Sequence, residues 1–279
     1  MKEEEKQNQT EECSHNCSSC GQNCDHRIVK AKQNDRSKIH KVIGVISGKG
    51  GVGKSLVSSL LAAQLNRKGN RVAILDGDIT GPSIPKSFGV KGPAYGDGTL
   101  IYPLKTESGI SIMSSSFLLE KEDDPIIWRG PMIGDLVKQF YTDVCWEEVD
   151  YMVVDMPPGT GDVALTTFQS LPVDGIVIVT TPQDLVSVIV KKAVHMAEKM
   201  GIPILGLIEN YAYLECPNCQ EKIKIYGESK LQQVAEELHL PILGRLPMRV
   251  GVSQLVDEGR VEDVLANELE DAVNAILAL

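Results

Sequence analysis

From residue 42 onward, short β-branched apolar runs alternate with longer stretches whose apolar residues recur every three or four positions. Val42-Ile43-Gly44-Val45-Ile46 reads as a buried strand. Leu56, Leu60, Leu61 and Leu65 share one helical face, and Gly69 is placed to end that helix. Further short strands are expected over 71–75, 109–113, 151–154, 175–179, 204–208 and 242–246. Helices are expected over 132–141, 185–200 and 230–238, with a closing helix over 264–279. Strand, helix and strand in alternation is the rhythm of a parallel sheet. The expected fold is therefore three-layer α/β, with a mostly parallel central sheet flanked by helices. The Gly- and Pro-rich run 81–108 reads as loop, and residues 1–38 are too polar to form a core. The chain thus divides into a flexible tail, 1–38, and one domain, 39–279.

Composition narrows the setting. Of the 279 residues, 42% are hydrophobic, which is ordinary for a globular protein. No apolar run reaches the roughly 18 residues a membrane span needs, so no membrane partner is expected. The opening Lys2-Glu-Glu-Glu-Lys6 has no apolar core of a secretory signal. A net charge of −10 argues against a nucleic-acid partner, which calls for a basic stripe. The expected location is the cytoplasm.

The chemistry centres on Gly48-Lys49-Gly50-Gly51-Val52-Gly53-Lys54-Ser55, which lies between the first strand and first helix. Gly48, Gly53, Lys54 and Ser55 satisfy the P-loop pattern in its required strand–loop–helix context. The glycines let backbone N–H groups turn inward around phosphates, and the helix N-terminus adds its positive dipole end. Lys54 would reach the terminal phosphates, and the Ser55 hydroxyl would hold Mg²⁺. Asp76 and Asp78 follow the next strand, where α/β sheets place their ligand crevice, near the metal or the attacking water. Asp155 ends another apolar strand in the Walker B manner. Pro157-Pro-Gly-Thr-Gly161, running on to Asp162, suits a loop that senses the γ-phosphate. Asn210, just past a strand end, is placed to offer its amide to a base or to shape a turn. Arg129 reads as a phosphate or partner contact or a surface ion pair. His195 is given no role.

Clustered cysteines in a chain expected to stay in the cytosol point to metal or redox work. Cys13, Cys17, Cys20 and Cys24 can surround one centre, and their spacing fits neither a standard zinc ribbon nor a ferredoxin run. Iron–sulfur is read ahead of zinc there. Cys216-Pro-Asn-Cys219 supplies two thiolates, half a tetrahedral site. The other half comes from the tail or from a second copy across a two-fold axis. A thioredoxin-like redox pair is the rival, and that motif should open a helix. Cys145, beside Trp146, reads as a buried small hydrophobe.

With these residues assembled, the chain resembles the Mrp family of iron–sulfur cluster carrier ATPases. That family sits within the deviant Walker A group, alongside the nitrogenase iron protein and the Min and partition ATPases. The resemblance runs from about residue 40 to the C-terminus and rests on residues 48–55, 76–83, 128–131, 155–162 and 216–219. It implies a homodimeric, ATP- and Mg²⁺-dependent protein that assembles a [4Fe–4S] cluster and transfers it to apo iron–sulfur client proteins. Lys49 would then reach the partner subunit's nucleotide, Asp78 would position the attacking water, Asp155 would serve Mg²⁺ and Asn210 would recognise adenine. Cys216 and Cys219 would share a bridging cluster with their dimer mates. The tail spacing differs from the eukaryotic cytosolic scaffold pattern, and the family's Asn-Met-Ser stands here as Asn210-Tyr211-Ala212. Three rivals stay open: an ATP-driven reductase, a Min- or partition-type positioning ATPase, and an NTPase that uses zinc only for structure.

Overall fold

A computed structural model of the chain describes residues 30–119, 130–159, 161–183 and 186–279. In chain order its strands are β1 (Ser37–Ser47), β2 (Val72–Asp76), β3 (Tyr95–Gly96), β4 (Ile101–Tyr102), β5 (Leu104–Lys105) and β6 (Ser111–Met113). There follow β7 (Glu147–Asp155), β8 (Gly175–Thr180), β9 (Ile204–Glu209), β10 (Leu214–Glu215), β11 (Lys222–Ile223) and β12 (Ile242–Arg245). The helices are α1 (Lys54–Arg67), α2 (Ile84–Ser87), α3 (Gly130–Thr142), α4 (Asp162–Ser170), α5 (Val186–Lys199), α6 (Leu231–Leu238), α7 (Val252–Asp257) and α8 (Glu270–Leu277).

Eight strands form one sheet in the order β12-β9-β8-β1-β7-β2-β6-β5. Every pairing in it is parallel except β5 with β6. Parallel sheets need both faces covered, which is why their strands are apolar throughout rather than alternating. The stretch of β1 from Val42 to Ser47 is buried at every position, as is all of β2 and β8. Helix α1 packs against this sheet together with α8, while α3 pairs with α4 and α5 with α6. The chain builds β2, β6 and β7 on one side of β1 and then β8, β9 and β12 on the other. The loop after β1 therefore opens at the reversal of strand order, where such sheets form their ligand crevice.

Three regions depart from the sequence pattern. The run 81–108 holds α2 and a β3–β4 hairpin whose Tyr95 and Tyr102 rings stack at 4.7 Å. Helix α4 is hidden in the sequence because Thr167 and Ser170 sit inside it. Such residues prefer local backbone bonds, and here their hydroxyls donate back to the carbonyls of Val163 (2.9 Å) and Thr166 (2.8 Å). The expected closing helix over 264–279 is instead one 3₁₀ turn (Asn267–Leu269) leading into α8. Arg67 accounts for the break: its guanidinium donates to the carbonyls of Glu262 and Val264, which leaves Val264 extended.

The packed unit also reaches back to Lys30, earlier than the polar composition of 1–38 suggests. Ala31 is buried against the core, and hydrogen bonds hold the rest of this segment. The Lys30 ammonium donates to the carbonyls of Phe168 (2.8 Å) and Leu171 (2.9 Å) at the end of α4. The Asn34 amide donates to the carbonyls of Thr142 and Val144, both at 2.8 Å. Cys13, Cys17, Cys20, Cys24 and Arg129 lie outside the described residues. Among the described residues no helix is long and apolar enough to cross a membrane. Replacing Asn34 by Ala strands the Thr142 carbonyl and leaves that of Val144 with only the Ser37 hydroxyl (3.1 Å), so Asn34→Ala should lower unfolding free energy by about 1–3 kcal/mol in urea titrations. An unchanged midpoint and slope would show that the segment is not part of the cooperative unit.

Candidate nucleotide site and cysteine hairpin

Three carboxylates converge beyond the ends of the central strands. Asp155 is the Cα partner of Val45 on β1 and of Asp76 on β2, so the two acids stand side by side on neighbouring strands. Both are fully buried. Asp155 is nevertheless well satisfied. Ser55 Oγ–H donates to its Oδ2 (2.6 Å), Ser58 Oγ–H donates to its Oδ1 (2.6 Å), and the Lys54 ammonium lies 2.7 Å from Oδ1. Lys54 is itself buried, only 5% exposed. The first five residues of α1 thus supply three donors to one carboxylate, which is what a carboxylate this deep requires.

Asp76 is less well served. It accepts from Ser114 Oγ–H (3.1 Å) and from the Asp78 backbone N–H (3.3 Å). Burial, and then the neighbouring Asp155 charge, push its carboxyl up to about 8. Asp78 is half-buried, and desolvation raises its carboxyl as well, opposed by Lys54. The loops carrying these acids are tied together. The Gly77 N–H donates to the Asp155 carbonyl (2.8 Å), the Met156 N–H to the Val45 carbonyl (3.1 Å) and the Gly159 N–H to the Ser47 carbonyl (2.9 Å).

The glycine-rich loop itself is exposed at Gly50 and Gly51 and half-buried at Gly48, Lys49 and Ser55. Lys49 turns toward α5 and donates to the Gln183 side-chain oxygen. Gly53 precedes α1 in a left-handed conformation (φ 77°), and a Cβ there would lie 2.1 Å from the Asn210 amide nitrogen. Only glycine fits. Asn210 is buried, and its amide donates to the Val52 carbonyl (2.9 Å), so the P-loop leans on the end of β9.

Ser58, Ser114 and Gln183 are additions to the expected site. Ser58 had a legible signal, lying four residues after Lys54 and so on the same helical face. Ser114 and Gln183 had none, since only the fold brings them to Asp76 and Lys49. Oxygen donors at Ser55 and Asp155, with Asp76 and Asp78 beside them, suit a hard divalent cation such as Mg²⁺.

The second candidate site is a β-hairpin. Strands β10 and β11 pair antiparallel, Leu214 with Ile223 and Glu215 with Lys222. The turn carries Cys216-Pro217-Asn218-Cys219 and closes with Gln220 in the left-handed region (φ 61°). The Cys216 N–H donates to the Glu221 carbonyl (3.0 Å), and the Gln220 N–H to the Cys216 carbonyl (2.9 Å). Backbone N–H groups of Cys219 and Asn218, together with the Cys219 thiol, hold the Cys216 thiol below its usual range. Cys219 is exposed and both thiols are free. A hairpin tip is not the helix start a thioredoxin-type pair requires. Among the described residues, no group of three or more His, Cys, Asp or Glu side chains is gathered closely enough to hold a metal ion by itself. Cys145 is buried beside Trp146.

The family model for the ParA-type NUBPL iron-transfer P-loop NTPases matches residues 38–278. The chain belongs to that family. Within it, a protein from Clostridium perfringens named iron-sulfur cluster carrier protein is 44% identical over 260 residues, spanning 90% of this chain and 91% of its own. One of the same name from Methanococcus maripaludis is 41% identical, spanning 96% and 97%. Among solved structures, an Archaeoglobus fulgidus nucleotide-binding protein in complex with ADP, in which cobalt was found, superposes with a TM-score of 0.75. It is 40% identical and covers 83% of this chain and 91% of its own. The Aquifex aeolicus cell division protein MinD, 17% identical with a TM-score of 0.58 over 85% and 95% of the chains, shares the fold.

Two outcomes test the site of this NUBPL-type chain. Gly53→Ala should abolish nucleotide binding in calorimetry while leaving the far-ultraviolet spectrum near wild type; undiminished affinity would contradict the close packing. Asp76 takes up a proton on folding, because its folded-state value lies above the unfolded one of about 4. Its contribution to stability is therefore complete below about pH 4 and is lost as pH rises toward 8. In urea titrations with EDTA, Asp76→Asn should gain on the wild type between about pH 5 and about pH 8. A constant difference would mean Asp76 is ionised throughout.

Proposed function

We propose that this P-loop NTPase is an ATP-binding and slowly ATP-hydrolysing carrier that assembles a [4Fe–4S] cluster and passes it to apo iron–sulfur proteins. The observation that carries the reading is the hairpin tip. Two free thiols, Cys219 exposed and Cys216 half-buried and held toward thiolate, stand in the same domain as a P-loop, and they make only half of a cluster's ligand set. A second copy of the chain would complete the set. Ile223, Ile225 and Tyr226, all more than 40% exposed beside the pair, supply apolar surface for that copy.

The nucleotide chemistry follows from Lys54. Phosphates cradled by the backbone N–H groups of 48–55 compete with Asp155 for its ammonium. With Lys54 drawn to the phosphates, Asp155 keeps the hydroxyls of Ser55 and Ser58, and Ser55 and Asp155 would hold the cation. Bound Mg²⁺ neutralises charge developing on the β- and γ-phosphates. Asp78, half-buried with a raised carboxyl, orients the attacking water, and Asn210 lends its remaining hydrogen-bonding capacity to adenine. Lys49 leaves Gln183 to reach across the homodimer. Cys13, Cys17, Cys20 and Cys24 form a second metal centre, iron–sulfur or zinc. The domain works in the cytoplasm. A positioning role at a membrane is the weaker alternative, since α8 carries Glu270 and Asp271 and no basic residue.

Lys54→Ala should reduce hydrolysis by about 10²-fold or more, and undiminished turnover would remove the P-loop assignment. Anaerobically purified protein should contain iron and sulfide in near-equal amounts with a broad visible charge-transfer band. That band should vanish in Cys216→Ala/Cys219→Ala. Stoichiometric zinc that resists replacement by iron would end the carrier reading.

A further inference from the structure

The segment joining the two sites is unusually constrained. Only five residues, 211–215, separate Asn210, whose amide grips the P-loop at Val52, from Cys216. The joint begins under strain. Tyr211 is a bulky residue in the left-handed region (φ 57°), a conformation that persists only where surroundings over-determine it. Its hydroxyl lies 3.2 Å from where a Cβ on Gly53 would stand, so Asn210 and Tyr211 both abut the same P-loop residue.

Beyond the joint, the segment is zipped to the chain leaving β12. The Ala212 N–H donates to the Leu246 carbonyl (2.9 Å), the Met248 N–H to the Tyr213 carbonyl (2.7 Å), and Leu214 bridges Met248 in parallel. Arg249 completes the zipper. Its Nε–H donates to Glu215 Oε2 (3.1 Å), directly before Cys216, while the rest of the guanidinium holds Glu268 and the Leu265 carbonyl (3.3 Å). The far end of the hairpin is fixed as well, because the Ser229 hydroxyl donates to Glu209, the neighbour of Asn210. Glu209 is buried and faces Arg245 on β12. Two consecutive residues at the end of β9 therefore grip the P-loop with one side chain and the exit of the cysteine hairpin with the other.

We propose that residues 210–216, with Arg249 as the positioning residue, form a strut that transmits movement of the P-loop to the Cys216–Cys219 turn. The inference rests on the reading of Cys216 and Cys219 as the cluster ligands and names the route by which nucleotide regulates them. Nucleotide that shifts the Gly53 backbone must displace Asn210 and Tyr211. A segment hydrogen-bonded along its length to 246–249 cannot absorb that shift, and it arrives at the thiols. Coupling of this kind is a free energy shared between two sites and is reciprocal. Residues that touch neither ligand can carry it when they belong to the element both sites bias.

The test needs no cluster. In reduced, metal-free full-length protein, iodoacetamide alkylation of Cys216 and Cys219 is followed by mass spectrometry with and without MgADP or a non-hydrolysable MgATP analogue. Buried Cys145 serves as the internal reference. Nucleotide should change the Cys216 rate by about fivefold or more in the wild type. Arg249→Met and the milder Glu215→Gln should each lose most of that response while ADP affinity stays within about twofold. Arg249→Lys should restore part of it, since a lysine keeps the charge without the fork. An equal response in wild type and both variants, or no response in the wild type, would overturn the strut. Iron and sulfide content after reconstitution is measured separately. Cluster that loads on thiols indifferent to nucleotide would sink the strut and leave the carrier reading standing. Nucleotide-sensitive thiols that never hold iron would do the reverse.

Discussion

Asp155 is the constraint around which the rest of the molecule is arranged. A carboxylate with no exposure is expensive to bury, and its cost is offset by three donors, all drawn from the first five residues of α1. Meeting that demand fixes where α1 starts and therefore how the glycine loop must turn to reach it from β1. It also takes Lys54 and Asp155 out of circulation by setting each against the other. Any phosphate drawn to Lys54, or cation drawn to Asp155, would have to compete with an existing pair. Either ligand alone would leave one buried charge without a partner.

The cysteine hairpin follows the opposite logic. It is short and exposed, and its own pairing is a two-residue ladder. Isolated ladders of that size are marginal in water. The hairpin is borrowed structure, held at its entry by the segment leaving β12 and at its exit by Glu209 of β9. A thiol that is to meet a ligand or another protein needs access, and access is incompatible with a core. Fixing the ends while exposing the tip reconciles the two.

Most of this was legible from residue order because the sheet is parallel and buried. Unbroken β-branched runs, such as Val42–Ile46, can be little else between helical repeats, and a P-loop at the first strand end dates the whole topology. Asp76, Asp78 and Asp155 could be placed because strand ends are the one part of such a sheet where a carboxylate can meet a ligand. What escaped were features decided by side-chain chemistry at a distance. Helix α4 was masked by its own hydroxyls, the C-terminal helix was cut short by Arg67, and the domain's start was set by Asn34 and Lys30 reaching for carbonyls over a hundred positions away. Likewise Arg249 shows nothing in its local sequence of its bond to Glu215.

The in-register neighbours Asp76 and Asp155 carry one more implication. Strand β2 is buried on both faces and apolar from Val72 to Leu75, so sliding it by one residue would cost the core little. For the site the same slide would be total, because it would turn Asp76 to the other side of the sheet. Hydrophobicity therefore does not choose the register of this strand. The choice falls to polar latches at its two ends, where Arg71 grips Asp150 and the Gly77 N–H meets the Asp155 carbonyl. Fidelity of folding and fidelity of chemistry are enforced by different atoms, and it is the weaker set that guards the chemistry.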